Sequence, residues 1–253
     1  MINGAVILIT GASSGFGCLA AARLAAAGHT VYATMRDVNS QGPLMAEARK
    51  RNAQLKILRL DVTDKRSITD VINSIQEEHG QLHVLVNNAG FGMGGFFEDL
   101  EESEIREQFE TNFFGAQEVT RQALPLMRQT AATGERRGRI INISSVQGRL
   151  AAPGLGAYAS SKYALEGFSE GLSFELHPFG IDVVLIEPGA YATEIFTTKR
   201  RIGRRATSSE SPYRPLADHM LALVDKRAAT GRKVGDPEDV ASLIEKVIGL
   251  EEA

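Results

Sequence analysis

Ala5-Val-Ile-Leu-Ile9 runs directly into Thr10-Gly-Ala-Ser-Ser-Gly-Phe-Gly17. An unbroken aliphatic run of this length suits a strand buried on both faces. Glycines at 11, 15 and 17 then allow a sharp turn into the small and apolar residues of Gly15 to Ala27, which carry helical spacing and end at Gly28 as a C-cap candidate. Strand, glycine turn and helix in that order form an anion site, because backbone N–H groups and the positive end of the helix meet a pyrophosphate there. A spaced-glycine match alone is a weak signal, and its position between strand and helix raises its value.

Downstream the same alternation repeats. Thr30 to Met35, Leu55 to Asp61, Leu82 to Asn87, Arg139 to Ser144 and Ile181 to Ile186 read as further strands. Pro43 to Asn52, Arg66 to His79, Ala157 to Leu176 and Pro237 to Gly249 read as helices. Glu101 to Gln129 is one long or broken helical pattern, with a kink expected at Pro125. Strands alternating with helices demand right-handed crossovers, which predicts an α/β fold: a single Rossmann-type, doubly wound parallel sheet over residues 1–253.

Composition narrows the function classes. The chain has 253 residues, 43% hydrophobic and 23% charged, with a net charge of -3, which is ordinary globular usage and argues against a nucleic-acid binder. One cysteine, Cys18, rules out an internal disulfide framework and fits a reducing compartment, so a cytoplasmic location is expected. His29, His79, His83, His177 and His219 lack ligand spacing, so no metal site is expected. No apolar run approaches a membrane span, and Met1 to Thr10 reads as a buried strand rather than a leader.

Tyr158-Ala-Ser-Ser-Lys162 places a phenol and an ammonium one helical turn apart. A cation at ~4 Å in an effective dielectric of ~20 contributes ~4 kcal/mol, an upper bound of roughly three pKa units, and would draw a tyrosine from about 10 toward neutrality. Such a pair also arises by chance, so its meaning depends on what surrounds it.

Thr10 to Gly17, Asp61-Val62, Asn87-Asn-Ala-Gly90, Asn112, Ser145, Tyr158 to Lys162, and Pro188-Gly189 with Thr193 together resemble the short-chain dehydrogenase/reductase family. The resemblance extends to about Thr193 and returns weakly at Gly235 to Val240. It implies an oxidoreductase in which Tyr158 is the general acid or base, Lys162 tunes it and holds the nicotinamide ribose, and Ser145 orients the reacting oxygen. Ser144 is the weaker candidate for that last role, and Asn112 would hold a water linking Lys162 to solvent. Gly11, Ser13, Ser14, Gly15, Phe16 and Gly17 would cradle the cofactor phosphates. Asp61 and Val62 would border the adenine, Asn88, Ala89 and Gly90 would line the dinucleotide, and Pro188, Gly189 and Thr193 would wrap the carboxamide. Asp61 serves equally well as a helix cap, a task for which Thr63 and Asp64 compete.

An NAD site presents an acid at the end of the second strand, whereas a nearby Arg accommodates a 2′-phosphate. Met35 stands where the acid is expected and Arg36 follows, which favours NADP(H), with Ser13 as a helper; Asp37, two residues on, is the competing reading. Residues 194–215 are expected to form a substrate lid, whose Lys199-Arg-Arg201 and Arg204-Arg205 would meet an anionic substrate or lie on a solvated face. Phe91, Met93, Phe96, Phe97, Leu150, Leu155, Tyr191 and Phe196 suggest an apolar pocket or plain core packing. Val31 to Asp37 and Gly90 to Gly95 are similar to the hydroxysteroid and retinol dehydrogenase branch, which implies a hydrophobic alcohol or ketone substrate. Two alternatives stay open: a 3-oxoacyl reductase acting on a carrier through Arg136, Arg137 and the lid arginines, and a non-catalytic NADP(H)-binding regulator. The resemblance also implies a homodimer through Glu101 to Gln129 and Ala157 to Leu176. A tetramer is in doubt, because the pattern stops at Leu250-Glu-Glu-Ala253 and leaves the seventh strand of the family either missing or beyond the chain shown.

Overall fold

The computed structural model describes residues 4–134, 137–191, 201–229 and 235–250. Strand β1 (Val6–Ile9) is buried throughout and forms the centre of a sheet with β2 (Thr30–Met35), β3 (Lys56–Arg59), β4 (Val84–Asn87), β6 (Gly138–Ile143) and β7 (Ile181–Ile186). All pairings are parallel, in the order β3-β2-β1-β4-β6-β7, with Ile7 opposite Val31 on one side and Val84 on the other. The α/β doubly wound class expected from the alternation is therefore the one adopted.

Successive side chains of β1 serve opposite layers, as a strand with two covered faces requires. Ile7 and Ile9 join the core beneath α1 (Gly15–Ala26) and α8 (Pro237–Ile248). Val6 and Leu8 join the opposite core, beneath α3 (Lys65–His79) and α5 (Gly115–Ala131). Each such side chain, fully withdrawn from water, stabilises the fold by about 2 kcal/mol. The stripe Ile68, Val71, Ile72 and Ile75 packs α3 down, Asp64 caps its start by accepting from Arg66 N at 3.1 Å, and Gly80 ends it at φ 63°. A short α2 (Gly42–Lys50) precedes β3, and α6 (Gly156–Leu176) lies between β6 and β7.

The long helical pattern is interrupted, but not where proline suggested. Helix α4 (Glu102–Phe109) passes into a π turn at Glu110–Phe114 and then into α5, which runs through Pro125. Gly115 N donates to Glu110 O, the wider ladder that defines the turn. One further element has no periodic signal in the sequence: β5 (Met93–Gly94) pairs in parallel with β8 (Arg201–Ile202), and α7 (Arg214–Ala229) follows.

The chain moves outward from β1 to β3 and then returns to β4 on the other side. The C-terminal ends of β1 and β4 therefore diverge into a crevice, the switch point where wound sheets place their ligands.

Candidate active site

A cleft of about 620 Å³ opens along this edge. Its floor is a steric lock between the loops after β1 and β4. Thr10 Oγ1 accepts from Asn88 N and Ala89 N, both at 3.1 Å, while Asn88 Nδ2 donates to Thr10 O at 2.9 Å and Gly11 O at 3.0 Å. A Cβ on Gly11, which sits at φ 70°, would meet Ala89 Cα at 2.7 Å, and one on Gly17 would meet Asn88 Nδ2 at 2.4 Å. Only glycine satisfies both positions. Ser13, Ser14, Gly15 and Phe16 line the cleft above this lock, and the first turn of α1 carries no acidic side chain to compete with an anion.

The ends of the next two strands form the far wall. Met35 and Arg36 line the cleft, with Arg36 exposed at its rim, whereas Asp37 turns away to cap residues 38–41 by accepting from Asn39 N at 2.9 Å. Asp61 and Val62 also line it, and Asp61 Oδ1 accepts from Thr63 N at 3.0 Å and Thr63 Oγ1 at 2.8 Å. Asp64 takes the cap of α3, so Asp61 is left to hold its own turn.

After β4, Asn88, Ala89, Gly90 and Phe91 border the cleft. Asn112 lies in the π turn, 1% exposed, and does not line it. Its amide is engaged on both sides: Phe91 N donates to Oδ1 at 3.0 Å, and Nδ2 donates to Phe91 O at 3.0 Å and Ser161 Oγ at 3.3 Å. Gln108, one turn earlier, staples the same segment through Phe91 O at 2.7 Å and Met93 N at 2.8 Å. Sequence reasoning did not single out Gln108; its cue is a polar side chain at i−4 from Asn112 on a face that must be buried.

Ser145, Tyr158 and Lys162 meet at the opposite end of the cleft. Ser145 Oγ accepts from Gln147 N at 3.1 Å and is hydrogen-bonded to the Tyr158 hydroxyl. Lys162 Nζ donates to Ile143 O at 2.7 Å and stands 5.9 Å from the Tyr158 ring centroid. The electrostatics differ from the spacing argument. Burial pushes the Tyr158 phenol above its ordinary value, with the Ser145 bond pulling the other way, and burial lowers the Lys162 ammonium to about 8. Desolvation dominates both shifts, and the ammonium is hydrogen-bonded to a carbonyl. Pro188 and Gly189 line the same end, held by Val146 N donating to Pro188 O at 3.1 Å; Thr193 lies outside the described residues.

Of the expected lid, residues 194–200 lie outside the described residues, and of 201–215 Arg201 lines the cleft. Its guanidinium is 4.1 Å from the Phe91 ring centroid and ion-paired with Glu107. Arg204 pairs with Glu101 at 3.2 Å and donates its N–H to Glu104 at 3.0 Å, and Ser211 donates to buried Asp99 at 2.7 Å. Arg201 and Arg204 are thus tied to acids within the chain, while Lys199 and Arg200 lie outside the described residues. Arg137 and Arg139 likewise grip Asp182, at 2.6 Å and 3.1 Å, so they are not free for an acidic partner; Arg136 lies outside the described residues. Among the apolar candidates, Phe91 and Tyr191 line the cleft, Met93 is buried, Leu155 precedes α6, and Phe96 stacks on Tyr213 at 4.8 Å. Phe97 and Leu150 are exposed, at 81% and 71%, and Phe196 lies outside the described residues.

The fold and the cleft define a dinucleotide-type α/β oxidoreductase scaffold, and comparison with known proteins supplies the family. Residues 5–202 match the short chain dehydrogenase family, and the chain belongs to it. It is similar to a 3-ketodihydrosphingosine reductase of Bacteroides thetaiotaomicron, 40% identical over 91% of this chain and 80% of that protein. It is also similar to bovine (Bos taurus) retinol dehydrogenase 8, 36% identical over 96% of this chain and 77% of that one. A solved short-chain dehydrogenase/reductase from Burkholderia phymatum in complex with NAD superposes with a TM-score of 0.81, at 28% identity, over 99% of this chain and 88% of that one. The protein is an oxidoreductase. No described helix is long and apolar enough to cross a membrane.

Proposed function

We propose that the protein transfers hydride between NADP(H) and a hydrophobic alcohol or ketone, with Tyr158 as general acid or base. The observation that carries this reading is the convergence of the Ser145 hydroxyl on the Tyr158 hydroxyl, beside buried Lys162, at the wall of a cleft along the sheet's C-terminal edge.

The residues fit a dinucleotide. The cleft runs from Arg36 and Asp61 at one end to Tyr158 and Gly189 at the other, with an acid-free helix start between them. Gly11, Ser13, Ser14, Gly15 and Phe16 would receive the phosphates, with Gly17 behind them holding the turn close. Val62, Asn88, Ala89 and Gly90 would flank the nucleoside, and Pro188, Gly189 and Thr193 the carboxamide. Arg36 at the rim, with Asp37 committed to its own turn, favours a 2′-phosphate over a bare hydroxyl. When bound, the nicotinamide supplies or accepts the hydride.

Tyr158 protonates the carbonyl oxygen during reduction, and its raised pKa keeps it in the donor form at neutral pH. Ser145 holds that oxygen against the phenol. Lys162, with its ammonium near 8, carries positive charge at neutral pH and opposes the negative charge that develops on Tyr158 as the proton leaves. Because the Asn112 amide is occupied, the relay to solvent expected there would use its main chain. Phe91 and Tyr191 support a hydrophobic substrate, as do the names of the two relatives above. Arg137, Arg201 and Arg204, on which the carrier-linked alternative would draw, are engaged in internal ion pairs, which favours the hydrophobic small-molecule reading. Exposed Phe97, just before α4, and Phe114, in the π turn between α4 and α5, support the expected homodimer.

The test is turnover of a carbonyl panel containing retinal, a 3-ketosphinganine, a steroid ketone and an oxoacyl thioester, with NADPH and with NADH. Reduction of a hydrophobic ketone with NADPH preferred is expected, with kcat falling about 1,000-fold in Tyr158→Phe while NADPH binding persists. Full turnover in Tyr158→Phe, or none on the whole panel, overturns the reading.

A further inference from the structure

Three consecutive residues at the end of β6 meet three turns of α6. Ser145 bonds Tyr158, the Ile143 carbonyl takes the Lys162 ammonium at 2.7 Å, and between them the Ser144 hydroxyl faces Glu166. Tyr158, Lys162 and Glu166 are spaced i, i+4 and i+8, so they share one face of the helix. The first two belong to the catalytic proposal above, and the third has no role in it.

We propose that Glu166 is a positioning residue for Lys162: its carboxylate supplies the negative charge that balances the buried ammonium, with Arg149 ion-paired to it and Ser144 packed against it. The inference rests on the reading of Lys162 as Tyr158's partner.

Glu166 is 3% exposed, and neither of its oxygens has a well-formed hydrogen bond. Arg149 Nη2 approaches Oε2 to 3.1 Å, as an ion pair out of line for a hydrogen bond; the same nitrogen reaches Glu187 at 3.1 Å, and Nη1 reaches Glu170 at 3.4 Å. Ser144 Oγ lies against the carboxylate without good hydrogen-bond geometry. The backbone closes over the pair at Gly148, where a Cβ would stand 2.9 Å from both Glu166 Cγ and Ser144 Oγ. A carboxylate so enclosed and so poorly bonded weakens the fold relative to an apolar side chain of the same size, which points to a use other than stability.

The charges facing Glu166 are Lys162 and Glu170 on its own helix, Arg149 from the turn after β6 and Glu187 from the end of β7. Burial raises the Glu166 pKa, Ser144 and Arg149 lower it, and Glu187 and Glu170 raise it. Its charge acts on Lys162 through space and draws the ammonium's pKa up against burial. Loss of that charge therefore makes Lys162 lose its proton at lower pH.

The test follows the Lys162 side chain by NMR in protein carrying ¹³Cε-lysine, assigned by the signal missing in Lys162→Met. In the wild type the midpoint is expected near 8, as burial sets it. In Glu166→Gln it should fall by about one pH unit, and Glu166→Asp should return most of the difference. The alkaline limb of kcat for ketone reduction should move by the same amount, with KM for NADPH unchanged. An unmoved Lys162 midpoint in folded Glu166→Gln overturns the inference. Should that variant not fold, Ser144→Ala replaces it: its carboxylate protonates more readily, the Lys162 midpoint should again fall, and an unmoved midpoint overturns the inference. The titration needs no turnover, so a shifted midpoint in a protein inactive on every carbonyl sinks the catalytic reading and leaves the charge pairing intact.

Discussion

The two sides of the cleft are held by different forces. On the side proposed for the nucleotide, Thr10, Gly11, Gly17 and Asn88 interlock through close contacts and side-chain-to-backbone bonds that leave no room for a single added carbon. On the side proposed for the substrate, the segment from Arg201 rests on two-residue strands, partly exposed ion pairs and a ring contact. Steric locks lose much for a small change and are insensitive to salt, whereas exposed pairs contribute about 0.2–1 kcal/mol each and weaken as salt rises. One side is thereby held rigidly, and the other by contacts that can change without disturbing the first.

The most damaging way to break this contrast is Gly17→Val. The new side chain displaces the Asn88 amide and strikes the Gly11 carbonyl, so a loss of about 3 kcal/mol in unfolding free energy is expected, with NADPH binding abolished. Chemical denaturation and cofactor fluorescence would measure both, and near-native values would show that the lock is soft. Arg36→Ala sharpens the contrast at the rim of the rigid side. KM for NADPH should rise about tenfold while KM for NADH stays put, the signature of a lost phosphate contact rather than a lost shape; an unchanged cofactor preference would return the choice to other residues. The smallest effect belongs to Arg201→Ala. It removes one half-exposed ion pair and one ring contact, so KM for the ketone should move by about threefold at low salt and less at high salt, with cofactor KM constant. A large fall in stability would place Arg201 in the lock instead.

The same division governs what the sequence revealed. The central strands of the main sheet were legible because continuous burial writes itself as an aliphatic run, as Val6–Ile9 does, while β3, with exposed Lys56 and Arg59 at its ends, was read from the alternation around it. Tyr158 and Lys162 share one face because they ride on one helix, and Ser145 joins them from the loop directly after β6. The β5–β8 pair was not legible, since two-residue strands containing Gly94 and Arg201 have no period to detect. Nor was the fate of the arginines, because Glu101, Glu104 and Glu107 lie about a hundred residues away in the chain. The direction of the Tyr158 shift was misjudged for a related reason: helical spacing reveals the neighbour but not how deeply both groups are withdrawn from water.

The π turn at Glu110–Phe114 carries a further consequence. An extra residue in one turn advances everything after it by about 100° around the axis, so α4 and α5 aim their inner faces at different targets while remaining one continuous rod. Excising a single amino acid there would heal the rod into an ordinary helix yet twist its halves out of step, carrying either Gln108 and Asn112 or the buried row of α5 off its target. Length at this spot works as an angular setting.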